Sequence, residues 1–96
     1  MTKKEKAEVR KLIGKIADVC MRINQETERA AFCWINGHVS LLSVCVAVSK
    51  EDYNNDIAKW DEHYGENSWN KPSQIIKNLT DLLAALEKFL ADELAK

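Results

Sequence analysis

The sequence predicts an α+β fold in a single domain, residues 1–96: a helix, a three-stranded antiparallel meander and a second helix, in the order α-β-β-β-α. Three observations predict it. Apolar residues recur at helical spacing at both ends of the chain, and a run rich in strand formers, broken by Asn36-Gly37, lies between them. At 96 residues the chain is also too short to build a second hydrophobic core.

The first helix opens on Thr2-Lys3-Lys4-Glu5, a capping-box pattern in which the Thr hydroxyl and Glu carboxylate each satisfy an orphan amide of the first turn. Val9, Leu12, Ile13, Ile16, Val19, Cys20 and Ile23 then share one face of a helix running to about Gln25. Thr27 to Arg29 break the period. Ala31-Phe32-Cys33-Trp34-Ile35 reads as a strand, and Asn36-Gly37 suits a two-residue type I′ hairpin turn. Val39 to Val48 is the return strand.

With that turn, one sheet face carries Phe32, Trp34, Val39, Leu41, Cys45 and Ala47, and the other Cys33, Ile35, Leu42, Val44, Val46 and Val48. Neither is polar. Either helices cover both faces, or helices cover one face and a second copy covers the other. A homodimer is therefore expected. A domain this size buries only about two thirds of the surface its unfolded chain exposes, so a partner subunit would help it.

Residues 49–66 admit two readings. Ser49-Lys50-Glu51-Asp52 could cap a helix with Tyr53, Ile57, Trp60 and Tyr64 on one face and Gly65 as its stop. Alternatively, Asn54-Asn55-Asp56 form a loop and Ile57 to Tyr64 a third strand. The strand is preferred, because a lone hairpin is a poor sheet. Pro72 then suits the first turn of a closing helix. Ile75, Ile76, Leu79, Leu82, Leu83, Leu86, Phe89, Leu90 and Leu94 form its wide apolar stripe.

Composition narrows the function classes. Apolar residues make up 46% and charged residues 30%, so the chain has enough apolar surface to fold. The net charge of −1 supplies no field for a nucleic acid or an anionic membrane, and neither is expected as a partner. Charge is nevertheless uneven. Residues 1–15 carry Lys3, Lys4, Lys6, Arg10, Lys11 and Lys15 against Glu5 and Glu8, a balance of +4. Residues 49–66 carry Lys50 and Lys59 against Glu51, Asp52, Asp56, Asp61, Glu62 and Glu66, a balance of −4. The charged amino terminus and the lack of a long apolar run predict a cytoplasmic protein. Cys20, Cys33 and Cys45 read as small apolar residues rather than a disulfide framework.

The three glycines are isolated, so there is no phosphate loop. Cys33, His38, Cys45 and His63 lack the paired spacing of zinc ligands, and a Cys–His nucleophile pair has no orienting carboxylate. No cofactor is expected, and no enzymatic activity. The expected partner surface is instead the acidic, aromatic segment from Glu51 to Trp69, with Asp56, Trp60, Asp61, Glu62, Tyr64, Glu66 and Trp69 as its candidate residues. These aromatics are interleaved with acids rather than with Lys and Arg, which argues against stacking on nucleic acid.

The helix leading into Glu26-Thr27, the short strand with Phe32, Gly37-His38-Val39, the alternation from Leu42 to Val46 and the leucine-rich closing helix together resemble small accessory proteins of unknown function from phages and prophages of Gram-positive bacteria. The resemblance implies helix, three-stranded meander, helix, and no enzymatic activity; with catalytic constellations missing and two apolar sheet faces, the expected function is a non-enzymatic phage or prophage accessory protein that binds a host or phage protein. The resemblance carries over no site residues, and Tyr53 to Trp69 departs from it most. One alternative is an inhibitor of a host defence nuclease, of the anti-CRISPR kind, its acids occupying a site meant for phosphates. The other is a small metal-dependent enzyme built on the carboxylates and histidines.

Overall fold

The computed structural model describes residues 1–67 and 69–96. Helix α1 spans Lys3–Glu26, strand β1 Ala30–Asn36, strand β2 Leu41–Ala47, strand β3 Asp56–His63 and helix α2 Pro72–Leu94. The sheet is an antiparallel meander in the order β1-β2-β3. The α-β-β-β-α architecture is thus the one the periodicities predict, and residues 56–63 take the strand reading rather than the helical one.

The capping box starts α1. The Glu5 amide donates to Thr2 Oγ1 at 3.1 Å, and the Thr2 amide donates to Glu5 Oε1 at 2.9 Å. The helix stops at Thr27, which turns extended while its hydroxyl donates to the Ile23 carbonyl at 2.7 Å. Asn24, three residues earlier, ties the helix to the sheet. Its side chain donates to the Ala31 carbonyl at 3.0 Å and accepts from the Ala31 amide at 2.6 Å. A second tie joins three elements: Arg29 donates to Glu93 of α2 at 3.1 Å and to the Val48 carbonyl beyond β2 at 2.8 Å.

Both helices pack on the same side of the sheet. Ile16 and Ile23 of α1, Ile75, Leu79 and Leu86 of α2, and Leu42, Val44 and Val46 of β2 form the fully buried centre. On β3 the same side presents Ala58 and Trp60, half-buried against that core. The sequence leaves open whether helices cover both faces; the chain itself covers one.

The hairpin differs from expectation. Asn36 pairs with Leu41 as the last residue of β1, so the connection is the four residues 37–40 rather than a two-residue Asn-Gly turn. Asn36 uses its side chain instead, Oδ1 accepting from the His38 amide at 3.0 Å. The left-handed residue is Ser40, at φ 50°, not Gly37. Face membership survives because the pairing has slipped by an even number of residues; an odd slip would have turned the strand inside out. Gly65 is no helix stop either. A Cβ there would lie 2.9 Å from Ser40 Cβ, and the chain leaves β3 by passing tightly over the hairpin connection.

Truncating a fully buried helix residue should therefore cost far more than truncating an exposed one. Leu79→Ala is expected to lower unfolding free energy by about 2–5 kcal/mol, and Leu94→Ala, half-exposed at the end of α2, by about 0.5 kcal/mol. Urea unfolding followed by circular dichroism measures both. Equal losses would contradict this core.

Candidate partner-binding face

Strand alternation assigns every residue of the sheet to the helix side or to the open side. The open side carries Phe32 and Trp34 from β1, Leu41, Ser43 and Cys45 from β2, and Lys59, Asp61 and His63 from β3. It is apolar along β1 and polar along β3. This is the reason a face that looks uniformly apolar in the hairpin alone can lack a helix: the third strand adds the charge. Its aromatic end is ordered by stacking, the Phe32 and Trp34 rings lying 5.7 Å apart and 8° from parallel. Trp34 is 54% exposed. Beside the stack, Tyr53 and Asn54 from the β2–β3 connection and Asp56, the first residue of β3, line a hollow together with Cys45. Across β2, Ser43 Oγ donates to Asp61 Oδ1 at 2.6 Å, so Asp61 is held in place.

The residues expected to form one partner surface are dispersed. Asp61 lies on the open side, and Asp56 lines the hollow there. Trp60 and Glu62 turn the other way, toward α2, where they border a cleft with Asn78, Asp81 and Leu82. Tyr64 is half-buried, its hydroxyl donating to the Asn36 carbonyl at 3.3 Å. Glu66 is ion-paired with the Met1 ammonium. Trp69 is 85% exposed, in the segment between β3 and α2. The seven residues are therefore spread over both sides of the sheet and the segment beyond it, and Asp56 and Asp61 join the aromatics of the open face. Sequence spacing does not show this grouping, because Phe32, Trp34 and Tyr53 come beside Asp56 and Asp61 only when the strands pair.

The three cysteines are free thiols with different environments. Cys33, half-buried on the helix side of β1, receives a hydrogen bond from the Cys20 thiol of α1, which lowers its pKa to about 7 against the opposing effect of burial. That same bond, with burial, pushes Cys20 far up. Burial, then the negative charge of Asp56, raises Cys45. Among the described residues no group of three or more His, Cys, Asp or Glu side chains could hold a metal ion, and no helix is long and apolar enough to cross a membrane. Compared with family models, curated proteins and solved structures, the chain matches none.

The thiol environments set an order of reactivity. Thiolate is the alkylated form, so Cys33 should react with iodoacetamide first, with a rate that rises through pH 7 and levels off above it. Cys20→Ala removes the donor and should move that rise toward the ordinary thiol range. Peptide mapping by mass spectrometry reads both. Labelling of Cys45 first, or a profile unchanged by Cys20→Ala, would contradict the assignment.

Proposed function

We propose that this is a non-enzymatic accessory protein of the kind carried by phages and prophages of Gram-positive bacteria, acting in the host cytoplasm by binding another protein on the open face of its sheet. The observation that carries the reading is the stack of exposed Trp34 on half-buried Phe32, beside Asp56 and the anchored Asp61. A rigid aromatic pair with fixed hydrogen-bonding groups at its margin is the composition that concentrates binding energy in protein interfaces. Stacking restricts both rings before a partner arrives, which lowers the ordering cost of association. The neighbouring carboxylates favour a partner that brings basic side chains.

Affinity capture from host lysate with the tagged protein tests this. The wild-type chain is expected to retain a specific protein. Trp34→Ala and Asp56→Lys, each checked for native circular dichroism, should weaken retention, Trp34→Ala by about thirty-fold or more if the ring is a hot spot. Trp69→Ala should leave retention unchanged. Retention that ignores Trp34 and Asp56 but collapses with Trp69→Ala would refute the placement, and retention of nothing would refute the binding role.

A further inference from the structure

The two edges of the sheet are unequal. In an antiparallel strand, alternate residues direct both backbone groups toward one neighbour and then the other. On β1, Ala31 faces away from β2, which is why the Asn24 side chain can take both its amide and its carbonyl. By the same alternation Cys33 and Ile35 also face outward, and among the described residues nothing hydrogen-bonds their amides or carbonyls. The opposite edge, β3, carries Asp56, Lys59, Asp61 and Glu62, the charged guard that discourages strand addition. Strand β1, Ala-Ala-Phe-Cys-Trp-Ile-Asn, has no charge at all.

The apolar character continues onto the neighbouring helix. Met21 lies three residues before Asn24 and Ala17 seven before it, so both share the side of α1 that runs along this edge. Both are exposed, in a helix whose other exposed positions are mostly Lys, Arg, Asp and Glu. Met21 is 54% exposed, Trp34 54% and Ile35 60%.

We propose that this edge is the interface with a second copy of the chain, β1 pairing antiparallel with its twin about a two-fold axis at Trp34 to give a continuous six-stranded sheet. The geometry is self-complementary. An axis at Trp34 sets Cys33 against the twin's Ile35 and Ile35 against the twin's Cys33, so the outward amides and carbonyls of both residues are satisfied in both copies. Trp34 meets its own counterpart on the open face. On the helix side the two α1 helices come alongside, with Ala17 and Met21 of each at the contact. An uncharged strand can pair with itself without repulsion, which the β3 edge cannot.

The inference does not rest on the docking role of the open face, because it is argued from the backbone and charge of the β1 edge and is read without any partner protein. The test uses purified protein alone, by sedimentation velocity or light scattering at micromolar concentration. Wild type should show twice the 11.0 kDa chain mass. Ile35→Pro removes an outward amide at an exposed edge position, and Met21→Glu puts charges face to face across the axis; each should give the single-chain mass with native circular dichroism. Should Ile35→Pro fail to fold, Met21→Glu decides. Asp61→Pro, the matching change on the β3 edge, should remain a dimer. A monomeric wild type, a dimer that persists in Met21→Glu, or a dimer lost only in Asp61→Pro would overturn the proposal.

Discussion

Burial of Leu42, Val44 and Val46 beneath the two helices is the contact on which everything else depends. These three side chains occupy one side of the middle strand, and both helices converge on them. Three fully buried branched residues stabilise the fold by several kcal/mol in total, comparable with the net stability of a small domain. Nothing comparable exists on the other side of the same strand. There Cys45 and Ala47 are buried but small, and Ser43 is spent on Asp61. The helix side holds the molecule together and the open side is left to do something else.

That asymmetry decides which side of the sheet the helices leave uncovered. Here α1 and α2 pack their apolar stripes against each other and against the same side of the sheet, α1 over β1 and α2 over β3, which leaves no helix for the other side. The aromatic pair of β1 is therefore left out of the core by the architecture, not by its chemistry. Stacking Trp34 on Phe32 reduces the apolar surface each presents to water and orders both rings. The polar residues of β3 keep the rest of the face wettable.

The elements were legible where a periodicity ran unbroken. Seven apolar positions from Val9 to Ile23 specify α1, and the stripe beginning at Ile75 specifies α2, because each pattern suits only one secondary structure. The faces of the hairpin were legible too, since side-chain alternation does not depend on the turn. The turn itself was not. Asn36-Gly37 has the composition of a tight hairpin, yet Asn36 bonds forward to His38 and hands the left-handed position to Ser40. The grouping of side chains on the open face was least legible, because acids and aromatics close in sequence on a strand alternate between its two sides. Trp60 and Glu62 point at α2, while Asp61, between them, points out.

Solvent paramagnetic relaxation, measured by NMR on the free protein with a soluble gadolinium chelate, tests the one-sided architecture most directly. The methyl groups of Leu42, Val44 and Val46 should be almost unaffected, while the ring of Trp34 and the side chains of Lys59 and His63 should be strongly relaxed. Equal protection of the two sides of the sheet, or strong relaxation of the β2 methyls, would contradict the account.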